Sequence, residues 1–309
     1  MTRISIDTPI EKGCGTILSV TRRSVHILVD GKVKSGVSST SARELTPGDS
    51  IEYTLKGDEI FVDSLRPRRN LFARSYRDKT KLLAANLDHL YLVSSVRPLF
   101  HTIFVDRVLA VARNADIPAS FIVNKSDLGL EKTHDLIEIY QSIGIPILFT
   151  SAKKDEGLNI LEDSLANPAF SIVALAGVSG VGKSTLLNKL VPEAERRTGE
   201  VSSKTGQGRQ TTTQSVGYQY HSSARERDLI IIDLPGVQNF GVSHLSLEQI
   251  SYGFVEIDTL SRGCEFDNCS HAHERKCAVR SAAEALTFAP SRYESYLRMR
   301  EEVEAAKPY

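Results

Sequence analysis

Five short motifs, and above all their order, limit what this chain can fold into. They run NKSD (Asn124–Asp127), TSAK (Thr150–Lys153), GVSGVGKST (Gly177–Thr185), a threonine run (Thr211–Thr213) and DLPG (Asp233–Gly236). Four of them close an apolar run of strand length: ASFIVNK (Ala119–Lys125), IPILFTSA (Ile145–Ala152), FSIVALAG (Phe170–Gly177) and LIIIDLPG (Leu229–Gly236). HLYLVSSV (His89–Val96) is one more such run, and helical spacing in Phe104–Ala112 and Leu136–Gly144 alternates with them. Near-continuous apolar strands alternating with helices imply a parallel sheet covered on both faces. The motifs then gather at the strand ends of one sheet.

The chemistry of each motif is specific. GVSGVGKS is G-x-x-x-x-G-K-S, with an apolar strand before it and the helical TLLNKL after it, the context such a loop needs. Its glycines let backbone amides fold round phosphates, and the helix N-terminus adds positive potential. Gly177, Val178, Ser179, Gly180, Val181, Gly182, Lys183, Ser184 and Thr185 are therefore the candidate phosphate-binding residues, with Lys183 on the outer phosphates and Ser184 on Mg²⁺. Asp233 would hold the same ion through its water shell, and the Gly236 amide would meet the terminal phosphate. Asp127 can accept from the N1–H and N2–H₂ edge of guanine, a pair adenine lacks, so a buried Asp127 would select GTP. Asn124 would tie the base loop together, the Lys125 stem would cover the base, and a backbone amide of Ser151 or Ala152 would sit near the guanine oxygen.

Catalysis is less complete on paper. The small, polar SSKTGQGRQTTTQ segment reads as a loop, and spacing to the next strand selects Thr212 for Mg²⁺ and the γ-phosphate. Val237 follows DLPG and can neither donate nor accept, so orientation of water falls to Gln210 or to an external partner. Lys183, Thr212 and Gln210 are the candidate catalytic residues. In ordinary GTPases the phosphate loop opens the domain and the base-reading motifs close it. Here the base-reading motifs come first, which is a circular permutation.

The flanks read differently. Residues from about 12 to 65 show period-two alternation, as in Val25, Ile27, Val29 and Ile51, Tyr53, Leu55, broken by Asp30-Gly31, Pro47-Gly48-Asp49 and Lys56-Gly57-Asp58. This implies a small antiparallel barrel or sandwich; five strands fit an OB-type barrel, with an SH3-like barrel as the alternative. Beyond about 242 the chain turns helical, with a final helix from Ser291. There Cys264-x₄-Cys269-x-His271-x₅-Cys277 supplies a closed Cys₃His set suited to structural zinc, with His273 rivalling His271 by spacing. Cys14, the remaining one of 4 cysteines, stands apart. Lys and Arg number 38 against 38 Asp and Glu, so global charge announces no nucleic-acid partner. The run Arg66, Arg68, Arg69, Arg74, Arg77, Lys79, Lys81 is either a solvated face or a phosphate-contacting strip. No apolar run reaches the ~20 residues of a membrane helix, and MTRISIDTPIEKGCG is no secretory signal. A soluble, cytoplasmic, monomeric protein with no membrane partner is expected.

On these residues the chain resembles the bacterial small-ribosomal-subunit biogenesis GTPases of the RsgA (YjeQ) family. The permuted order, the barrel and the cysteine cluster carry the resemblance, together with KLLAANLDHLYLVSS (Lys81–Ser95) and CEFDNCSHAHERKCAV (Cys264–Val279). It implies an OB-fold domain over 1–70, a circularly permuted α/β P-loop GTPase over 71–241 and a mainly helical zinc-binding domain over 242–309. It also implies binding to the small ribosomal subunit and its rRNA late in assembly, with hydrolysis of GTP to GDP and phosphate stimulated by the subunit. The family's zinc pattern selects His271. Family members usually carry a histidine just before the threonine run, where this chain has Gln210. The competing reading is a nucleotide-gated rRNA-binding assembly factor in which turnover is incidental. Val237–Leu247 would connect the γ-phosphate loop to the zinc cluster.

Overall fold

A computed structural model describes residues 10–306 apart from 23, 39–43, 58, 77–78, 100, 132, 193, 195–213, 223 and 237–239. The barrel is built from β1 (Ile10–Val20), β2 (Val25–Val29), β3 (Lys32–Ser38), β4 (Ser50–Lys56) and β5 (Glu59–Leu65). It closes in the order β1-β2-β3-β5-β4. β3 and β5 run parallel while the other neighbours are antiparallel, a strand order that selects the OB-type barrel over the SH3-like alternative. The alternation places Ile17, Val25, Ile27, Val29, Ile51, Tyr53, Ile60 and Val62 in one buried cluster. The two-residue Asp30-Gly31 loop has positive φ at both positions, the turn whose twist matches the flanking strands.

A separate two-stranded ribbon follows, β6 (Leu71–Tyr76) and β7 (Lys79–Ala85). The central layer then alternates: β8 (His89–Ser95), α1 (Thr102–Asn114), β9 (Ala119–Asn124), a 3-10 turn (Ser126–Leu128), α2 (His134–Ser142), β10 (Ile147–Phe149), α3 (Leu158–Leu165), β11 (Ile172–Ala176), α4 (Lys183–Leu190), β12 (Val216–Tyr220) and β13 (Leu229–Asp233). These strands form one sheet in the order β10-β9-β8-β11-β13-β12. The expectation of a parallel sheet needs one correction: β12 is antiparallel to β13 at the edge. Residues 221–228 are too few for a crossover helix, so the pair is joined as a hairpin. On one face lie Leu161, Leu165, Leu186, Leu187 and Leu190 of α3 and α4; on the other lies α1.

The chain ends in α5 (Leu247–Gly253), α6 (Val255–Ser261), α7 (Ala278–Glu284) and α8 (Pro290–Ala306). Ser246 starts α5 with a reciprocal capping box to Gln249. Ile250, Phe254, Tyr296, Met299 and Val303 share a core with Val105, Val108 and Leu109 of α1. At that seam Arg292, almost fully buried, donates to Asp106 of α1 at 2.6 Å and grips Glu256 of α6 at 2.7 and 3.0 Å. Tyr140 of α2 also donates to Asp106, at 2.9 Å. Burial opposes the Arg292 charge, but the two carboxylates outweigh it and hold its pKa above the ordinary value. Among the described residues no helix is long and apolar enough to cross a membrane.

Candidate functional site

The ends of β9, β10, β11 and β13 meet on one rim, as parallel pairing requires. The loop Gly177–Gly182 leaves β11 and enters α4 at Lys183. Two glycines there have no substitute. Gly182 has φ +88°, and a Cβ on it would stand 2.3 Å from the Asn124 amide nitrogen; a Cβ on Gly177 would stand 2.5 Å from the Val93 carbonyl. The tight approach at Gly182 lets Asn124 donate to the Val181 carbonyl at 3.0 Å. Its side-chain oxygen accepts from the Ala152 amide at 3.1 Å and the Thr150 hydroxyl at 3.3 Å. One buried asparagine thus joins NKSD, TSAK and the phosphate loop.

Lys125 takes a left-handed conformation, φ 60°. Its ammonium donates to the carbonyls of Gly180 and Arg97, each at 2.6 Å. The Asp127 carboxylate accepts from the Ser151 hydroxyl at 2.7 Å and has Lys154 at 3.9 Å. The Ser151 amide bonds the Glu156 carbonyl at 2.9 Å, and the Ala152 amide is held by Asn124. The expected amide-to-guanine contact therefore requires one of these amides to share or exchange its bond.

On the phosphate side, Lys183 is paired with Asp233, both almost fully buried. Burial pushes the Asp233 carboxyl up, and Lys183 pulls it back. Ser179, Ser184 and Thr185 are exposed on the loop and the first helical turn, while Val178 is half-buried. Gly236 lies against the loop, its position for a Cβ being 3.6 Å from the Ser179 nitrogen. Thr212, Gln210 and Val237 lie outside the described residues.

The second cluster is in the C-terminal helices. Cys264, Cys269, His271 and Cys277 bring one ligand atom each within 4.8 Å of one another. The Cys264 and Cys277 sulfurs are 3.8 Å apart, and each is 3.5 Å from His271 Nδ1. Tetrahedral zinc, with Zn–S of about 2.3 Å and Zn–N of about 2.0–2.1 Å, requires spacings of ~3.8 Å and ~3.6 Å, so the four residues fit that ion. His271 sits at φ 59° and is buried, whereas His273 is exposed. Tyr293 and Tyr296 fix the loop by donating to the carbonyls of His271 and Ser270 at 2.7 and 3.0 Å. Burial pushes the Cys269 thiol up to about 12, so thiols packed this way keep their protons unless a cation takes their charge.

The basic run divides. Arg68 clamps the fully buried Asp49 carboxylate at 2.6 and 2.8 Å, and Arg69 holds Asp88 and the Asn86 carbonyl, each at 2.8 Å. Arg66 pairs loosely with Glu52 at 3.4 Å. These linker arginines tie the barrel to the sheet. On the ribbon, Arg74 stacks over Tyr76 at 5.3 Å, and burial lowers the pKa of Arg74 and Lys81. Lys79 is exposed near the ribbon tip. Charge spacing carried no sign of this split, because the partners of Arg68 and Arg69 lie 17 to 24 residues away along the chain. Arg107, Glu302 and Ser75, which hold the chain beyond DLPG, were likewise missed: each looks like an ordinary surface residue in its own element.

A phosphate loop, a base-reading loop placed before it in the chain and a helical end carrying a Cys₃His cluster define a circularly permuted P-loop GTPase. The RsgA GTPase family profile matches residues 65–243. The small ribosomal subunit biogenesis GTPase RsgA of Bordetella pertussis is 39% identical over 285 residues, 91% of this chain and 93% of that protein. Its counterpart in Borreliella burgdorferi is 32% identical over 306 residues, 96% of each. Among solved structures, YjeQ from Thermotoga maritima superposes with a TM-score of 0.71 at 27% identity, covering 95% of this chain and 99% of that one. The chain belongs to the RsgA GTPase family and, with it, to the GTP-hydrolysing enzymes.

Proposed function

We propose that this protein hydrolyses GTP while bound to the small ribosomal subunit, in late maturation of that subunit, and that the subunit stimulates turnover. The observation that carries the nucleotide assignment is the Asn124 junction, which locks the base-reading loops to the phosphate loop within hydrogen-bonding distance. Asp127 reads guanine, and the Lys125 stem covers it. Lys183 neutralises the outer phosphates, and Ser184, Asp233 and Thr212 serve Mg²⁺. Gly236 senses the γ-phosphate, and Gln210 or a group of the subunit orients water. Cys264, Cys269, His271 and Cys277 hold one structural zinc with no open position, so that ion supplies folding energy. The division into 1–70, 71–241 and 242–309 assigns these tasks to barrel, GTPase core and zinc end. The partner enters through the names of the relatives, which are small-subunit biogenesis GTPases.

The experiment is nucleotide competition. The unmodified protein should prefer GTP over ATP strongly, and Asp127→Asn should erase most of that preference by setting an amide donor against guanine's donor edge. Equal binding of GTP and ATP by the unmodified protein refutes the base assignment.

A further inference from the structure

The chain that leaves the phosphate rim is held from behind by the last helix. Phe240 is buried between Phe72, 5.7 Å away, and Phe104, which meets it edge-on at 6.4 Å. Arg107 of α1 donates to the Phe240 carbonyl at 2.9 Å and pairs with Glu302 of α8 at 2.5 Å. Glu302 accepts the Val242 amide at 2.7 Å with its other oxygen. Between these two bonds, Gly241 bridges to Ser75 of β6, the Ser75 amide donating to its carbonyl at 2.9 Å. A Cβ on Gly241 would stand 2.7 Å from the Ser75 carbonyl oxygen, so the backbone approach is as close as it can be. The His244 amide donates to the Ser75 hydroxyl at 2.9 Å. Residues 240–244 are thus fixed by three elements at once.

The fixed point is close to the chemistry. A Cβ on Gly236 would stand 3.6 Å from the Ser179 nitrogen of the phosphate loop, and four residues from Gly236 to Phe240 span at most about 14 Å. From Phe240 on, the chain that follows Gly236 is anchored by α1 and α8. The same α8 holds the zinc loop through Tyr293 and Tyr296, about 9 to 14 Å of helix from Glu302.

We propose that Glu302 and Arg107 are positioning residues for GTP hydrolysis: they fix the far end of the Gly236 loop and so set how its amide meets the γ-phosphate. This rests on the assignment of Gly236 as the γ-phosphate contact. GDP binding, which draws on the phosphate loop, NKSD and TSAK, should not depend on them. Binding and turnover of the triphosphate should.

The test uses the full-length chain and three ligands: GDP, a non-hydrolysable GTP analogue and GTP. Glu302→Gln keeps an acceptor for Val242 and loses the charge pair. It should lower analogue affinity and kcat by about tenfold while GDP affinity stays within about twofold. Glu294→Gln, which breaks an exposed pair on the same helix, should change neither. Arg107→Lys, which keeps the charge and loses the fork, should act in the same direction, and combining it with Glu302→Gln should add less than the sum of the two. If Glu302→Gln unfolds the chain, Arg107→Lys carries the test. Equal losses for GDP and analogue, or no loss for either, overturn the proposal. Gly236→Ala measured alongside separates the two failures. If it lowers analogue affinity and Glu302→Gln does not, only the anchor is wrong. If Gly236→Ala leaves analogue affinity intact, the γ-phosphate assignment and the anchor fall together.

Discussion

Two of the places where the described residues bury charge, the nucleotide rim and the C-terminal seam, are built to opposite ends. At the rim, Lys183 and Asp233 face each other, one cation against one carboxylate. At the seam between the sheet and the C-terminal helices, Arg292 spends Nε and both terminal nitrogens on Glu256 and Asp106, with the Phe254 ring 4.5 Å from its guanidinium carbon. The ammonium of Lys183 has three donors, so the rim pair keeps capacity for a phosphate and a metal ion. At the seam each of the three guanidinium nitrogens already holds a carboxylate oxygen, and Asp106 Oδ2 is left without a hydrogen-bond partner among the described residues. A buried cation with a single carboxylate partner marks a site; a buried cation whose every nitrogen holds a carboxylate marks a joint.

Removing each cation should break that comparison if it is false. Arg292→Ala leaves two carboxylates uncompensated and should cost about 3–5 kcal/mol, read as a large fall in Tm, with nucleotide affinity retained in the folded fraction. Lys183→Ala should cost less stability, because Asp233, already pushed up by burial, can take a proton. Its nucleotide affinity should nevertheless fall at least ~30-fold, as for truncation of one partner in a buried charge pair. A larger fall in Tm for Lys183→Ala than for Arg292→Ala would reverse the assignment of site and joint.

The Cys₃His cluster sharpens the same contrast, because it belongs with the joint. Metal analysis should find one zinc per chain, and Cys269→Ala should release it and loosen residues 264–277 against α8, visible as faster amide exchange there. GDP affinity should change little. Protein purified without chelators that contains no zinc would remove the metal from the account.

The split of the basic run predicts a smaller effect. Arg68→Glu sets a carboxylate against buried Asp49 and should destabilise the barrel junction. Lys79→Glu should leave Tm unchanged, weaken binding to small subunits and reduce the salt slope by about 1. An unchanged slope would make Lys79 an ordinary solvated residue and point the rRNA contact elsewhere.

Much of this was legible in the sequence, for a physical reason. Strand-ending motifs need only local spacing to be read, and their order along the chain is itself the permutation. Alternation at Val25, Ile27 and Val29 likewise placed the barrel core. What stayed hidden was non-local. Periodicity cannot give strand direction, so antiparallel β12 was missed. Spacing left His271 and His273 as rivals until burial and the turn at His271 separated them. Arg68, Arg292 and Glu302 looked like surface charges, since nothing near them in sequence announces Asp49, Asp106 or Val242 as partners.

Turnover tests the central claim most directly. GTP and ATP hydrolysis should be measured with and without purified small ribosomal subunits at matched Mg²⁺. The protein alone should hydrolyse GTP slowly, on the order of 10⁻⁴–10⁻² s⁻¹, and hydrolyse ATP far more slowly still. Small subunits should raise the GTP rate many-fold and leave the ATP rate unchanged. A GTP rate that small subunits do not raise, or equal rates for the two nucleotides, would contradict the account of a subunit-stimulated GTPase.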